Sequence, residues 1–307
     1  LMNNPFGNYL CQKITDTCEK EQLRTIIKTI KNDIVNICCN SHGTRALQKI
    51  IEWVKDQELI DMIISLLKGH VKTLVEDING NHAIQKILFT FKAPNNEFIF
   101  DTMIKQCKEI ACHKHGCWVM QKCIDGATED QRQRLVEVII TYTKEFVRNP
   151  YGNYVIQYVL DLKDYDVNTV IGKHLQGKLI DLITYEDSRK FSSNVIEKCL
   201  QLNHNEMKNQ MVKEMLGAES YLPFLKDQYG NYVVQKTLAV AEPEDLETLI
   251  SKIKPDMEYL RKSSEFGRKI YNKLVKSYPA LQTTSFESKN KNNKNNKANS
   301  KKNYKNK

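Results

Sequence analysis

The hexapeptide GNYVIQ at Gly152–Gln157 decides how this sequence folds, because related hexapeptides recur along the whole chain. The other copies are GNYLCQ (Gly7–Gln12), GTRALQ (Gly43–Gln48), GNHAIQ (Gly80–Gln85), GCWVMQ (Gly116–Gln121), SSNVIE (Ser192–Glu197) and GNYVVQ (Gly230–Gln235), with a degenerate eighth, GRKIYN, at Gly267–Asn272. Successive copies are separated by 36, 37, 36, 36, 40, 38 and 37 residues. A fixed period of this length predicts an all-α solenoid of stacked helical repeats.

Each copy has the pattern of one amphipathic helix. We number its positions from the residue after the glycine, so that the first, second and fifth positions fall within an arc of about 100° on a helix and are expected to face outward. The third and fourth positions turn to the opposite side, where we expect the core. These fourteen residues are all apolar or Cys: Leu10/Cys11, Ala46/Leu47, Ala83/Ile84, Val119/Met120, Val155/Ile156, Val195/Ile196 and Val233/Val234.

The sequence also predicts where helices start and where residues are inserted. Asn4 and Asn149 each precede a proline and are predicted to cap the following helix, and Asp77 and Asp227 hold the same place in two other copies. A second amphipathic helix is predicted between copies, for example over 131–146, so each repeat is expected to be a helical hairpin. The longer spacings of 40 and 38 residues predict insertions near Asp161–Asp166 and Leu216–Phe224.

Charge and composition limit the function classes. The formal charge is +9, but residues 288–307 carry eight lysines and no acid, which leaves +1 for the remainder. The rest of the chain is therefore nearly neutral, and a prediction of nucleic-acid binding cannot rest on a generally basic surface. Nine scattered cysteines without a CxxC pair suit a reducing, cytoplasmic environment. No apolar run has membrane-spanning length, so no membrane association is predicted.

Catalytic and metal chemistry find little support in the sequence. Cys107, Cys112, His113, His115 and Cys117 are close together, but their spacing fits no standard zinc finger. We therefore predict neither a metal nor another cofactor. No combination of nucleophile, base and orienting group and no phosphate loop is present, so an enzyme is not predicted.

The seven motifs resemble those of the Pumilio (PUF) family of RNA-binding proteins, and repeat six, SSNVIEKC, resembles a characteristic repeat of that family. The resemblance spans residues 1 to about 280, with the first repeat incomplete at its N-terminus. It implies a crescent of three-helix repeats that binds single-stranded RNA, with the 5′ end of the RNA on the C-terminal repeats.

The chemistry of the first, second and fifth positions agrees with base reading. Aromatic and guanidinium planes at the second position stack on bases of any identity. Amides at the first and fifth positions match the edge of uracil, a Gln beside a small residue matches adenine, and a carboxylate accepts the two N–H donors of guanine. The predicted stacking residues are Tyr9, Arg45, His82, Trp118, Tyr154, Asn194 and Tyr232.

The family code, carried over residue by residue, gives the RNA sequence 5′-UGUAUAU. From the 5′ end, the code assigns uracil to Asn231/Gln235, guanine to Ser193/Glu197, uracil to Asn153/Gln157, adenine to Cys117/Gln121, uracil to Asn81/Gln85, adenine to Thr44/Gln48 and uracil to Asn8/Gln12. The inserted residues around repeat six leave room for an additional base in the target.

The resemblance further implies a monomer that binds mRNA 3′ untranslated regions and recruits deadenylase or repressor proteins, so that translation falls and the mRNA decays. Two other interpretations stay open: a PUF-like protein that binds nucleic acid without a base code during ribosome assembly, and a helical-repeat scaffold for proteins. Intact motifs argue against the first, and the paired change at Ser193 and Glu197 argues against the second.

The remaining segments complete the predicted domain organisation. We expect a Pumilio homology domain over 1–280, whose residues from about 245 to 280 close the solenoid as a cap. In the degenerate eighth copy, Arg268 and Lys269 cannot read uracil. The Asn- and Lys-rich segment 281–307 is expected to be disordered. Lysines that follow the fifth position in six copies are expected either to approach phosphates or to pair with acids of the next repeat.

Overall fold

The computed structural model describes residues 1–202 and 205–283. The chain is 75% helical, with 21 α-helices and no strand in the described part, which confirms the predicted all-α class. The first ten helices are α1 (Gly7–Thr15), α2 (Lys20–Ile30), α3 (Ile34–Cys39), α4 (Gly43–Trp53), α5 (Gln57–Leu67), α6 (Val71–Glu76), α7 (Gly80–Thr90), α8 (Glu97–Lys105), α9 (Cys107–Ala111) and α10 (Gly116–Gly126). The others are α11 (Glu129–Thr141), α12 (Thr143–Phe146), α13 (Gly152–Asp161), α14 (Tyr165–Leu175), α15 (Leu179–Thr184), α16 (Arg189–Leu202), α17 (Asn205–Leu216), α18 (Leu222–Lys226), α19 (Gly230–Val240), α20 (Pro243–Lys262) and α21 (Glu265–Ser277).

Repeats two to seven each consist of a long helix, a short helix and a motif helix, rather than the hairpin expected from periodicity alone. The predicted helix over 131–146 is two helices, α11 and α12, because the chain leaves helical geometry at Tyr142. The Thr143 hydroxyl then donates to the Ile140 carbonyl at 2.7 Å and closes the break. The three-helix repeat implied by the family resemblance is therefore confirmed.

The chain forms two compact units, Leu1–Met215 and Leu216–Lys307, the second described to residue 283. In the first unit the motif helices pack in series, α1 on α4, α4 on α7, α7 on α10, α10 on α13 and α13 on α16. In the second unit α19 packs on α18, and the single long helix α20 packs on α21. Serial packing of this kind is the defining property of a solenoid.

The core follows the predicted pattern in six copies. The third and fourth positions are at most 1% exposed from Ala46/Leu47 through Val233/Val234. The first copy is the exception, since Leu10 is 54% exposed and Cys11 is half-buried. Within the described residues no helix packs against that side of α1, so the prediction that these two residues lie in the core is wrong.

The motif glycine is required by close packing against the short helix. A Cβ at Gly116 would lie 2.1 Å from the Ile110 carbonyl oxygen, and one at Gly80 would lie 2.9 Å from the Leu74 carbonyl oxygen. Repeat six has Ser192 at this place, and its buried hydroxyl donates to the carbonyls of Leu182 and Ser188.

Repeat six also accounts for the spacing of 40 residues between the fifth and sixth copies. In repeat four, as in its neighbours, the glycine follows the first residue of the short helix by nine positions (Cys107 to Gly116), whereas Ser192 follows Leu179 by thirteen. The four additional residues therefore lie between the start of α15 and Ser192, where α16 begins three residues before the motif position. The predicted insertion at Asp161–Asp166 is wrong, because a spacing gives the length of an insertion but not its place within the repeat.

The second insertion lies where it was predicted. The connection between α17 and α18 covers residues 217–221 and ends in Tyr221, which is 1% exposed. The backbone N–H of Tyr221 donates to the Asp256 carboxylate at 3.3 Å. Burial of this tyrosine anchors the longer loop.

Candidate nucleic-acid interface

Asn or Asp side chains fix the start of the motif helices. The Asn149 Oδ1 accepts hydrogen bonds from the backbone N–H groups of Tyr151 and Gly152, both at 2.9 Å. Asp77 does the same for Asn79 and Gly80, at 2.8 and 2.7 Å. The predicted capping role is thereby confirmed for these residues, and it leaves the carbonyl of the cap residue available to the helix.

The first positions of the motifs are buried, which corrects the expectation that they face outward. None of them is more than 6% exposed: Asn8, Thr44, Asn81, Cys117, Asn153, Ser193 and Asn231. On a helical wheel these short side chains lie on the outward side of the helix. In the structure the four asparagines and Cys117 fold back toward carbonyls at the start of their own helix, whereas the Thr44 hydroxyl donates to the Asn79 carbonyl of the next repeat.

A repeated network joins the first and fifth positions in the four Asn–Gln repeats. In repeat five the Asn153 Nδ2 donates to the Asn149 carbonyl at 2.8 Å, and the Asn153 Oδ1 accepts from the Gln157 Nε2 at 2.9 Å. The same Gln-to-Asn bond measures 3.0 Å for Gln12–Asn8, 2.8 Å for Gln85–Asn81 and 2.7 Å for Gln235–Asn231. Each half-buried glutamine is therefore held in one orientation, with its carbonyl oxygen free of this bond.

Repeats two and four orient their glutamines differently. The Gln48 Nε2 donates to the Thr44 hydroxyl, and the Gln121 Nε2 donates to the Cys117 backbone carbonyl, both at 3.2 Å. Burial raises the pKa of the Cys117 thiol, so the side chain stays neutral at physiological pH. These two repeats have a smaller first side chain and offer no second amide.

Repeat six has a third arrangement. The Ser193 hydroxyl is 3% exposed and has no hydrogen-bond partner among the described residues. The half-buried Glu197 stands one turn later, where the other repeats have glutamine. The repeat types distinguished by sequence thus differ in their hydrogen bonds. Repeats two and four also differ from each other, because the acceptor is a side-chain hydroxyl in one and a backbone carbonyl in the other.

The second positions are exposed in every copy. Their side chains are Tyr9, Arg45, His82, Trp118, Tyr154, Asn194 and Tyr232, and the four tyrosine and tryptophan rings among the largest exposed apolar groups are 50 to 59% exposed. Exposed aromatic rings that border a cleft are typical of a binding surface. Trp118 and Tyr154 border a cleft of about 440 Å³ that also contains Cys117, Gln121 and Gln157.

Inter-repeat pairs run beside the motif positions. An acid nine residues after one glycine pairs with the side chain six residues after the next glycine. The pairs are Asp16–Lys49 and Glu52–Lys86 at 2.7 Å, Asp161–Lys198 at 2.5 Å, and a hydrogen bond from the Tyr158 hydroxyl to Asp125. We call this series the acid–lysine ladder. Lys49, Lys86 and Lys198 therefore pair with the preceding repeat and not with the next one, whereas Lys122 pairs with Asp125 of its own repeat.

Contacts in the ladder also shift the pKa values of Tyr158 and Asp125. Burial and the hydrogen bond to Asp125 raise the pKa of Tyr158 to about 12. Burial also raises the pKa of the Asp125 carboxyl, but hydrogen bonds from Tyr158 and Lys122 outweigh that effect, and the net shift is downward. The ladder lysines Lys49, Lys86 and Lys198 are thus paired with carboxylates.

Comparison with known proteins identifies the family. The model of the Pumilio-family RNA binding repeat matches residues 1–30, 33–67, 70–104, 106–140, 144–163, 190–216 and 221–254. The chain belongs to the Pumilio family. A Pumilio domain-containing protein of Schizosaccharomyces pombe is 38% identical over 280 residues, which are 91% of this chain and 40% of that protein. Pumilio homolog 12 of Arabidopsis thaliana is 35% identical over 89% of this chain and 46% of its own length.

Solved Pumilio structures have the same fold. The chain matches the Puf4 RNA binding domain, bound to an HO endonuclease RNA 3′ UTR recognition sequence, with a TM-score of 0.78 and 34% identity over 88% of this chain and 85% of that one. The RNA-binding domain of yeast Puf5p bound to SMX2 RNA matches with a TM-score of 0.75 and 30% identity over 92% and 85%. The Pumilio relatives and structures are RNA-binding proteins rather than enzymes. The chain spans less than half the length of the two relatives above.

Among residues 1–202 and 205–283, no three His, Cys, Asp or Glu side chains come together as a metal site, and no helix is long and apolar enough to cross a bilayer. The ladder partners Asp16, Glu52, Asp125 and Asp161 were missed by sequence reasoning. Their constant offset from the glycine was the signal that could have found them.

Proposed function

We propose that this Pumilio-family protein binds single-stranded RNA by sequence, with 5′-UGUAUAU as its target, in mRNA 3′ untranslated regions. The observation that carries the proposal is the agreement between the code and the hydrogen bonds. Every repeat assigned to uracil holds its glutamine through a buried Asn, and each repeat assigned to adenine holds it through a smaller residue.

The arrangement in repeat five supports reading of this kind. Gln157 has one amide hydrogen committed to Asn153, so its carbonyl oxygen and second hydrogen are directed elsewhere. A uracil edge presents one N–H between two carbonyl acceptors, and two fixed amides can satisfy it. Tyr154, 53% exposed on the same helix, supplies the stacking plane. A preorganised edge and an exposed plane together select a base without movement of the helix.

Repeat six supports guanine by the same logic. A carboxylate at Glu197 accepts both the N1–H and the N2–H of guanine, which a glutamine cannot do. The buried Ser193 hydroxyl, without a described partner, gains one when a base is bound. An unsatisfied buried hydroxyl costs about 1 to 3 kcal/mol. Binding of guanine relieves that cost, whereas uracil offers a single N–H between two carbonyls and cannot donate twice to the carboxylate.

The experiment exchanges the codes of two neighbouring repeats. In one variant, Ser193→Asn with Glu197→Gln gives repeat six the first and fifth motif residues of repeat five. The preferred second base should then change from G to U. The matched control is the reciprocal variant, Asn153→Ser with Gln157→Glu, which should change the third base from U to G. Discrimination of about 1 to 3 kcal/mol, or roughly 5- to 150-fold in Kd, is expected at each changed base. Unchanged preferences in both variants would refute the code.

The cellular role extends the same proposal. Binding to 3′ untranslated regions would bring deadenylase or repressor proteins to the message, in the cytoplasm, with the protein acting as a monomer and lowering translation and mRNA lifetime. The Puf4 domain bound to a 3′ UTR recognition sequence supports the RNA part of this role. An mRNA tethering assay, in which the chain is fused to a coat protein that binds a reporter, tests it directly. A reporter whose half-life does not change would contradict recruitment.

We also propose that 1–280 is one Pumilio homology domain, with residues around 245–280 as its cap and the Asn- and Lys-rich tail outside it. Leu281, which was expected to be disordered, lies buried in a short 3₁₀ helix, Pro279–Leu281. The continuous helix α20 supports the cap, because this last copy lacks a separate short helix. Residues 284–307 lie outside the described part of the chain. Limited proteolysis that removes only the tail and leaves a product ending near residue 280 is the expected result.

A further inference from the structure

The acid–lysine ladder is broken at the C-terminal end of the repeats. Lys273 lies six residues after Gly267, the place held by Lys49, Lys86 and Lys198 in their copies. The corresponding acid would lie nine residues after Gly230, where the chain has Ala239, an exposed residue. Lys273 therefore has the position of a ladder lysine without its carboxylate.

The side chain of Lys273 takes a different position as a result. Its ammonium lies 5.8 Å from the ring centre of Tyr232, the stacking residue of repeat seven. No carboxylate of residues 1–202 or 205–283 forms an ion pair with it. Lys273 is exposed. An ammonium near an aromatic plane is stabilised only modestly at an exposed site, so it stays available to an anion.

A second cation lies on the same face of α21. Lys269 is one helical turn before Lys273, and residues four apart are neighbours on a helix. Its ion pair with Glu265 measures 2.8 Å, but both side chains are more than 70% exposed. Exposed pairs of this kind contribute little and yield to a stronger anion. The face next to Tyr232 thus offers two ammonium groups.

We propose that Lys273, with Lys269, binds the RNA phosphate on the 5′ side of the first base read by repeat seven. The inference rests on the proposed function, which stacks that base on Tyr232 and directs the 5′ end toward the C-terminal helix. Lysine ammonium groups bind phosphate as point charges. The site requires only the phosphate group, so it would accept a terminal monoester or the diester of an upstream nucleotide.

Three RNAs distinguish the sources of that phosphate: UGUAUAU with a 5′ hydroxyl, the same RNA with a 5′ phosphate, and CUGUAUAU. The protein should bind the second and third roughly three- to tenfold more tightly than the first at 50 mM salt, and the difference should shrink as salt rises, with a slope of log K steeper by about 0.7. The variant Lys273→Gln should lose this difference. Lys262→Gln, which removes an equal charge from a lysine paired with Glu258 at 2.8 Å, should keep it.

A second variant tests the same idea without deleting the lysine. Ala239→Asp places the missing ladder acid opposite Lys273 on an exposed site, so it should fold normally and also abolish the difference among the three RNAs. Equal binding of the three RNAs by the unaltered protein, with UGUAUAU still bound specifically, would overturn the phosphate site alone. A gain only with CUGUAUAU would also overturn it, because a base would then be the ligand. Loss of sequence preference altogether would overturn the proposed function as well.

Discussion

The buried first position of each motif leads to a prediction about stability in the absence of RNA. Asn153 is 1% exposed, donates to the Asn149 carbonyl at 2.8 Å and accepts from Gln157 at 2.9 Å. Asn153→Ala removes both hydrogen bonds and leaves a small void. Each neutral hydrogen bond contributes about 1 kcal/mol net, so the free energy of unfolding should fall by about 2 kcal/mol.

Urea denaturation of the RNA-free protein measures this change. Tyr154→Ala is the matched control, because Tyr154 follows Asn153 in the same helix and is 53% exposed. Its substitution should alter the free energy of unfolding by no more than about 0.5 kcal/mol. If Asn153→Ala changed stability as little as the control, the hydrogen-bond network would not hold Asn153 in the free protein, and the argument for preorganised glutamines would fail.

Three further predictions concern packing, pH and stacking. Gly116→Ala forces a Cβ to within 2.1 Å of the Ile110 carbonyl and should destabilise the protein by roughly 1 to 3 kcal/mol, whereas Gly69→Ala, with no atom within 4 Å, should not; thermal unfolding compares the two. Burial alone would raise the pKa of the Asp125 carboxyl, but its hydrogen bonds lower it by more, so the folded-state pKa lies below the unfolded-state pKa. The carboxylate therefore stabilises the fold above the unfolded-state pKa, and this stabilisation is lost as pH falls through the folded-state pKa. The stability difference between the unaltered protein and Asp125→Asn, a few tenths of a kcal/mol at pH 7, should therefore shrink by pH 3, and a difference independent of pH would contradict the assignment. Tyr154→Ala should weaken binding of UGUAUAU and of single-base variants alike by about 1 to 3 kcal/mol in a titration, and a loss limited to one base would exclude stacking.

Much of this structure could be predicted from the sequence because a repeat protein shows each local rule several times. The glycine spacing predicted serial packing, and the apolar third and fourth positions predicted a core that the structure confirms from Ala46 onward. Leu10 did not follow the rule, since its burial depends on a neighbouring helix and not on its own motif. Helix caps were predictable as well, because Asn149 and Asp77 act on backbone N–H groups only two and three residues away.

The site was harder to predict where it depends on tertiary geometry. A helical wheel places Asn153 at the surface, but it contains no information about the cap carbonyl to which the side chain folds back. The inserted residues before Ser192 have the same effect on spacing wherever they lie in the repeat. The pairing of Asp16 with Lys49 across two repeats likewise required the relative position of the helices.

The measurement that tests the central claim most directly is the binding of the purified chain to 5′-UGUAUAUA and to the same RNA with UGU changed to ACA, at one fixed salt concentration near the physiological value. The three changed bases are those that the proposed code assigns to repeats seven, six and five, as two uracils and one guanine. Binding of the first RNA at least a hundredfold more tightly than the second is the predicted result. Equal affinity for both RNAs would contradict sequence-specific reading by these motifs.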